Sequence, residues 1–273
     1  MLYGKVLSRT GGVRRMKPHS GDFILPVVEL KSLMGEGEKA WRALKDQYCG
    51  IVIRTPSEEP SRERILSFAN QVGKPRTSVL GVHRRNRGAT VHDVAPRQEV
   101  RDFRGVVVLS TTYREIPLHS DGYNAEPPPE QMILQMVNPG KGGSTTAALA
   151  GDIMRNLSLS AISCLSERVF PTTDGTTAIV TRHRDGTFAM RFNEYEINNH
   201  LAKHHNCQYV KSKHVAAFSE LVEMIDYFES SVSATRIQLR RSDVLLLKNG
   251  RVLHGRLGLE RSDHARLLHR VWC

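Results

Sequence analysis

The sequence predicts a mixed α/β fold that is mainly β, with a sandwich or barrel as its core. From residue 106 onward, short apolar and β-branched runs alternate with turn residues, and two longer runs at helical spacing interrupt them. Many short strands separated by turns are typical of sandwiches and barrels. A length of 273 residues allows one large core. We therefore expect a single domain over residues 1–273.

The N-terminal part is predicted to open with an irregular segment followed by helix, strand and helix. Residues 1–20 are basic, rich in glycine and without periodicity, which favours an irregular terminus. Helices are predicted over 36–48 and 61–72. Between them, residues 49–53 form a short apolar run that is typical of a buried strand.

The remaining chain alternates predicted strands with two helical insertions, which fall within residues 145–235. The helices are predicted over 147–169, with a break near Ser158, and over 215–230. Apolar side chains of the second helix share one face, which predicts packing on the core and not cofactor binding. Those side chains are Phe218, Leu221, Val222, Ile225 and Phe228. Strands are predicted over 106–109, 132–137, 176–183, 187–192, 235–239, 244–247 and 265–272.

Composition narrows the possible partners and locations. The formal net charge is +11, but the basic residues are dispersed and form no block interleaved with aromatic residues. This pattern favours a generally basic surface over a nucleic-acid interface. No apolar run is long enough for a membrane helix and no signal-like core is visible, so we expect a cytoplasmic protein without membrane association. Four scattered cysteines predict reduced thiols. The oligomeric state stays open.

His119 and Asp121 are the first candidates for metal ligands. In an extended segment, residues two apart project from the same side, so both side chains could reach one ion. Gly122 allows the chain to leave the strand directly afterwards. An imidazole and a carboxylate, completed by a distant histidine, form the facial triad of non-haem iron(II) oxygenases, which leaves positions open for a cosubstrate and O2.

His254 is the candidate for the distant histidine, at the end of a short predicted strand that follows a turn. A second histidine-x-aspartate pair exists at His183 and Asp185. It precedes Gly186 between two predicted strands, and Asp-Gly in that position is a hairpin signal. We therefore prefer His119 and Asp121 as the ligand pair.

Two arginines stand out on the C-terminal predicted strand. Arg266 and Arg270 lie an even number of residues apart, so they share one face, while His269 lies on the other. A buried arginine needs an anion, and a planar guanidinium binds a carboxylate through two parallel hydrogen bonds. A dicarboxylate cosubstrate would meet this need.

Three segments together resemble the TauD/TfdA family of iron(II)- and 2-oxoglutarate-dependent oxygenases, in particular its clavaminate synthase-like branches. They are residues 117–122 (PLHSDG), 142–146 (GGSTT) and 249–256 (NGRVLHGR). The spacing of the C-terminal arginines and the opening run at 50–54 (GIVIR) also fit, so the resemblance extends over most of the chain from about residue 40.

The resemblance implies a distorted double-stranded β-helix, also called a jelly roll, with iron(II) held by His119, Asp121 and His254. It also implies that Thr145 and Arg266 bind 2-oxoglutarate and that O2 is the third reactant. The expected reaction hydroxylates a small polar metabolite, such as an amino acid or an amino-acid-derived anion, with succinate and CO2 as coproducts. Desaturation, cyclisation and epoxidation remain open.

Two arginines are candidates for substrate contacts, and each has an alternative role. Arg270 could bind a substrate anion or pair with an acidic side chain that stabilises the barrel. Arg191, at the end of a predicted strand, could line the pocket or cap a strand edge.

Three rival functions also stay open. They are a non-catalytic β-barrel binding module, a nucleic-acid demethylase of the same chemistry, and a zinc site built from His200, His204, His205 and Cys207.

Overall fold

The computed structural model describes residues 25–77, 89–96, 107–183, 186–203, 209–231, 234–260 and 265–273. The predicted irregular terminus at 1–20 lies outside these ranges. The strands are β1 Val27–Glu29, β2 Gly50–Arg54, β3 His92–Val94, β4 Ile116–His119, β5 Gln131–Asn138, β6 Thr145–Leu149, β7 Phe170–Thr172, β8 Gly175–Thr177, β9 Val180–Arg182, β10 Phe188–Met190, β11 Thr235–Ile237, β12 Val244–Lys248, β13 Val252–Arg256 and β14 Leu267–Trp272. The helices are α1 Glu38–Leu44, α2 Arg62–Val72, α3 Ala150–Arg155, α4 Leu159–Leu165, α5 Glu194–Lys203 and α6 Ser212–Ser230.

Two sheets form the body of the fold, which is mixed α/β and rich in strands, as predicted. The large sheet has the order β1-β2-β12-β5-β14-β3, and the small sheet has the order β11-β6-β13-β4. β1 and β2 pair in parallel, and the other described pairs in these sheets are antiparallel. The inner faces pack on each other through one apolar cluster. It includes Val52, Leu134, Leu245 and Leu268 from the large sheet and Ala147, Ile237 and Val252 from the small one.

The outer face of the large sheet is covered by the N-terminal helices. Ile51 and Ile53 of β2 pack with Trp41 of α1 and with Ile65 and Phe68 of α2. Since Val52 faces the opposite way into the sandwich, β2 is buried on both faces. A continuous apolar run is what such a strand requires.

The outer face of the small sheet is covered by α3, α4 and α6. Leu118 of β4 and Leu253 of β13 belong to the same apolar cluster as α6. The predicted apolar stripe on α6 is confirmed as a packing surface. Four of its five side chains are buried, namely Phe218, Leu221, Ile225 and Phe228, and the fifth, Val222, packs against them. No helix in the described ranges is both long and apolar enough to cross a membrane.

The helical insertion predicted over 147–169 is shorter than expected and begins later. Its first residues belong to β6, where Ala147 pairs with His254 on one side and Thr235 on the other. Pairing with two strands overrides the helix propensity of alanine. The break near Ser158 is confirmed: this residue caps α4 by accepting a hydrogen bond from Ala161 N at 3.1 Å.

Two further expectations were wrong in detail, and one helix was not predicted. The strand predicted over 106–109 is not among the strands of the described residues, where the chain instead forms a single helical turn at Leu109–Thr111 and the Thr111 hydroxyl donates to Val108 O at 2.8 Å. The strand predicted over 176–183 is divided between β8 and β9. Helix α5 was not predicted, because its sequence is largely polar. Its start is marked by Asn193, whose side chain accepts from Glu196 N at 3.1 Å.

Candidate metal centre

β4 and β13 bring the two candidate histidines side by side. His119 and His254 are direct partners in the antiparallel register of these strands. Gly255 permits this close approach: a Cβ at this position would lie 2.5 Å from Ile116 O and 2.8 Å from Thr146 Oγ1. A larger residue would push β13 away from both neighbouring strands.

The segment that carries Asp121 is fixed by hydrogen bonds to two other parts of the chain, the backbone of Phe192 and the side chain of Asn249. Ser120 N donates to Phe192 O at 2.7 Å, and Phe192 N donates to Ser120 Oγ at 2.9 Å. Asn249 accepts from Asp121 N through Oδ1 at 2.9 Å and donates to Asp121 O through Nδ2 at 3.0 Å. Gly122 then turns the chain with φ +72°. The aspartate is thus held directly after β4, as the sequence predicted.

His119, Asp121 and His254 converge on one point. Their potential ligand atoms all lie within 4.8 Å of one another. Asp121 Oδ1 is 3.5 Å from His119 Nε2 and 3.9 Å from His254 Nε2. His119 Nδ1 lies 2.9 Å from Pro117 O, so a proton on Nδ1 leaves Nε2 free to bind a cation. Two imidazole nitrogens and one carboxylate fit iron(II) as a facial triad.

The electrostatic surroundings keep two of the candidate ligands, Asp121 and His254, in their cation-binding forms. Burial alone would raise the pKa of Asp121, but the nearby Arg270 guanidinium holds it well below its usual value. Burial, followed by the proximity of His119, lowers the pKa of His254 to about 3. Asp121 is therefore anionic and His254 neutral near pH 7.

Two residues of β14 contact the Asp121 carboxylate. Trp272 Nε1 donates to Oδ2 at 2.8 Å, and Arg270 Nη1 lies 3.3 Å from both oxygens. The Arg270 guanidinium also lies 4.8 Å from the centre of the Trp272 ring. Arg270 therefore does pair with an acidic side chain, and that side chain is the candidate metal ligand itself.

The three candidate ligands line a cavity of about 340 Å³. Its polar lining combines cationic groups on or beside β13 and β14 with acidic and amide groups on α5 or bonded to it. The cationic and hydroxyl members include Thr145, Arg256, Arg266 and Arg270, and the acidic and amide members include Asn124, Glu194, Glu196 and Asn198. Apolar side chains such as Leu109, Leu134 and Leu268 fill the intervening wall.

Thr145 and Arg266, the predicted cosubstrate contacts, are brought together at this cavity. Both are buried, and Arg266 Nη2 donates to Gly143 O at 2.9 Å. Gly143 has φ +65°, and a Cβ there would lie 2.2 Å from Leu259 Cδ2 and 3.1 Å from Arg266 Nε. The glycine therefore allows the loop before β6 to lie against the arginine.

Arg191 is not brought to the cavity, which corrects the expectation of a substrate contact. Its Nε donates to Tyr123 O at 2.7 Å and its Nη2 to Ala125 O at 2.6 Å. Its Nη1 contacts Glu126 Oε2 at 2.9 Å and Thr177 Oγ1 at 3.0 Å. Arg191 therefore holds the loop that follows the candidate ligand Asp121, and it is absent from the cavity lining. The sequence showed a strand-end arginine but not the carbonyl groups that it would meet.

Three residues at the site were not predicted: Asn249, Trp272 and Arg256. Alternation along a strand could have found two of them, because Arg256 lies two residues after His254 and Trp272 two after Arg270. Asn249 lies in a turn, where the sequence carries no signal for its contact with Asp121.

The alternative metal sites receive no support from the described residues. β9 and β10 form the antiparallel hairpin predicted around Gly186, which has φ +81°, while residues 184–185 lie outside the described ranges. His200 is buried and its Nε2 lies 3.0 Å from Asn124 Oδ1, and the remaining zinc candidates at 204–207 lie outside those ranges as well. Within the described chain, the trio around Asp121 is the only group of three metal-ligating residues this close together.

Comparison with known proteins identifies relatives of the chain and of its fold. The family model "Taurine catabolism dioxygenase TauD, TfdA family" matches residues 14–272. No curated protein matches the chain. An asparagine oxygenase in complex with Fe(II), 2S,3S-3-hydroxyasparagine and succinate has a similar fold, with a TM-score of 0.63 at 16% identity over 87% of this chain and 77% of that one. The non-haem iron oxygenase OrfP, in complex with Fe and α-ketoglutaric acid, also has a TM-score of 0.63, at 18% identity over 88% of this chain and 80% of that one.

Proposed function

Because the chain belongs to the TauD/TfdA dioxygenase family, we propose that it uses iron(II), 2-oxoglutarate and O2 to hydroxylate a small polar metabolite. Amino acids and amino-acid-derived anions are the expected substrates. The observation that carries the proposal is the convergence of His119, Asp121 and His254 at the wall of a cavity. A non-catalytic binding module would have no need for these three ligands.

Each residue of the site has a defined task in this proposal. His119, Asp121 and His254 hold the iron, while Arg266 and Thr145 bind a carboxylate of 2-oxoglutarate. Bound iron would supply the oxidative chemistry that converts 2-oxoglutarate and O2 into succinate and CO2 and hydroxylates the substrate. Trp272 and Asn249 orient the ligand carboxylate by hydrogen bonds to its side chain and its backbone.

We infer that the two facing sheets form a distorted double-stranded β-helix, with the N-terminal and inserted helices packed outside, and that residues 1–273 form one domain. The family supports this architecture, as does the order of strands in the two sheets. In such an arrangement, the candidate ligands lie between the sheets and not on an outer face.

The cavity's charges favour a substrate that carries both signs. Arg270 offers a cation close to the candidate metal site, and Glu194 and Glu196 offer carboxylates from α5. Burial, and after it the proximity of Asp226, raises the pKa of Glu194, and a substrate cation would offset this effect. A volume of about 340 Å³ suits a small molecule. Asparagine oxygenase and OrfP, which share the fold, are crystallised with hydroxylated amino acids.

The decisive experiment measures succinate formation from 2-oxoglutarate with iron(II) and ascorbate in air, against a panel of amino acids and small anions. We expect at least one zwitterion to stimulate succinate formation and to gain one oxygen atom by mass spectrometry.

The net charge of +11 favours a nucleic-acid demethylase as the second candidate function. If the protein is a demethylase, methylated DNA or RNA should stimulate succinate formation. Its binding to the nucleic acid should weaken steeply as salt is added.

A further inference from the structure

Arg256 lies at the candidate site but has no role in the proposed function. It lies two residues after His254 on β13, so both side chains project from the same face of the small sheet. In the strand register, Arg256 is the direct partner of Thr145 on β6. Side chains of direct cross-strand partners are neighbours. Arg256 therefore lies beside the residue expected to contact the cosubstrate.

The hydrogen bonding of Arg256 is incomplete. Its side chain is buried, with the residue 6% exposed, and Nη2 donates to Thr112 O and to Arg114 O, both at 2.7 Å. Its Nε and Nη1 atoms are also buried, and they have no hydrogen-bond partner among the described residues. Leaving buried charged donors unsatisfied is costly, which indicates that a ligand normally accepts from them.

A second buried guanidinium lies nearby. Arg266 is 3% exposed and lines the same cavity as Arg256 and Thr145. Within the described ranges, no carboxylate lies within ion-pair distance of Arg256. A guanidinium such as that of Arg256, buried without a carboxylate beside it, is stabilised most directly by a bound anion.

We propose that Arg256 is a binding residue for the distal carboxylate of 2-oxoglutarate, which it holds together with Arg266 and Thr145. This inference rests on the proposed function, because it assigns a further contact within the same cosubstrate site. The two main-chain carbonyls of Thr112 and Arg114 orient the guanidinium, and its remaining donors face the carboxylate. The subsite would thereby favour a dicarboxylate over a 2-oxo acid with an uncharged end.

The test compares two ligands on iron(II)-loaded protein without oxygen, by calorimetry. The ligands are 2-oxoglutarate and 2-oxopentanoate, which has the same carbon chain but lacks the distal carboxylate. In Arg256→Met, we expect the dissociation constant of 2-oxoglutarate to rise about 10- to 100-fold, as for the loss of a hydrogen bond to a charged group. Binding of 2-oxopentanoate should change little. Arg256→Lys, which keeps the charge, should show a smaller loss.

Arg236→Met serves as the matched control, because Arg236 is an exposed arginine on β11 of the same sheet. Its affinity for both ligands should equal that of the parent. The inference is overturned if Arg256→Met and Arg256→Lys keep the parent's preference for 2-oxoglutarate while the melting temperature falls. That result would make Arg256 a purely structural clamp on the Thr112 and Arg114 carbonyls. Failure of the parent protein to bind 2-oxoglutarate at all would instead refute the proposed function.

Discussion

Asn249 clamps the backbone of Asp121 on both sides: its Oδ1 accepts from Asp121 N at 2.9 Å, and its Nδ2 donates to Asp121 O at 3.0 Å. The same Nδ2 donates to Pro129 O at 2.8 Å. A turn residue between β12 and β13 thus sets the position of a candidate metal ligand that follows β4.

Replacing Asn249 by alanine should weaken iron binding without abolishing it. The ligand atoms remain, but the Asp121 backbone loses both hydrogen bonds that fix it. Loss of such an outer contact typically lowers metal affinity about 10- to 100-fold. Asn156→Ala is the control, since the Asn156 amide also bonds a main-chain carbonyl, Asp152 O at 2.8 Å, at the end of α3. Equal iron affinities in the two variants would show that Asn249 does not contribute to iron binding.

His119→Ala and Asp121→Ala should each lose stoichiometric iron(II) binding. We expect the parent to bind one iron per chain and to give a weak visible band when 2-oxoglutarate is added without oxygen, because a bidentate keto acid on iron(II) creates that transition. The control is His183→Ala, which changes an exposed histidine at the β9–β10 hairpin. Absence of the band in folded, iron-loaded parent protein would show that the triad assignment is wrong.

Arg266→Ala should weaken 2-oxoglutarate binding strongly. Removing one partner of a buried, hydrogen-bonded charge pair costs about 2 to 5 kcal/mol, or roughly 30- to several-thousand-fold in affinity. The comparison is Arg236→Ala, at an exposed position on β11. Dissociation constants measured without oxygen should separate the two variants clearly, and similar values would contradict the role given to Arg266.

Arg270→Ala should affect the prime substrate more than the cosubstrate. We expect a higher KM for the substrate, whereas substrate-free turnover of 2-oxoglutarate should fall less than it does in Arg266→Ala. Because Arg270 contacts Asp121, iron affinity is measured in parallel to separate the two effects. A lower melting temperature with both Michaelis constants unchanged would instead assign Arg270 a role in stability alone.

Gly255→Ala should destabilise the fold around the candidate ligands. The added Cβ would lie 2.5 Å from Ile116 O, and such overpacking costs about 1 to 3 kcal/mol. Gly151→Ala, in α3, should be neutral or slightly stabilising, since the nearest atom to its Cβ is Arg155 Nη1 at 3.8 Å and alanine favours a helix. Thermal unfolding of both variants and the parent checks this prediction. A Gly255→Ala variant with the parent's melting temperature would show that β13 can shift away from β4 at no cost in stability.

The sequence was informative where a pattern is local. The apolar run of β2 was recognised because a strand buried on both faces consists of apolar residues throughout. The stripe on α6 was recognised because a helix buried on one face has apolar residues at helical spacing. His119 and Asp121 were found because residues two apart in an extended segment share a side, and because the hairpin signal at Asp185 and Gly186 argued against the competing pair. Arg266 and Thr145 were proposed from family resemblance, and the structure places both at the cavity.

The features that the sequence could not predict depend on contacts with residues far away along the chain. β6 ends in an alanine-rich segment that is a strand only because β11 and β13 pair with it. Arg191 and Arg256 are both arginines at strand ends. The loop carbonyls around Tyr123 and Ala125 hold the first outside the cavity, whereas the register with Thr145 places the second inside it.

β12 lies between β2 and β5 in the large sheet, with Leu245 paired to Val52 on one side and to Leu134 on the other. The centre of the sheet therefore closes only after chain segments far apart in sequence have met. Sheets built from such distant pairs fold slowly, since the entropy of loop closure is lost before the contacts form. β2 and β5 expose unpaired edges until then, which makes the partly folded chain prone to aggregation. The two candidate histidine ligands meet only when β13 pairs with β4, so the complete ligand trio is itself a product of a long-range pairing.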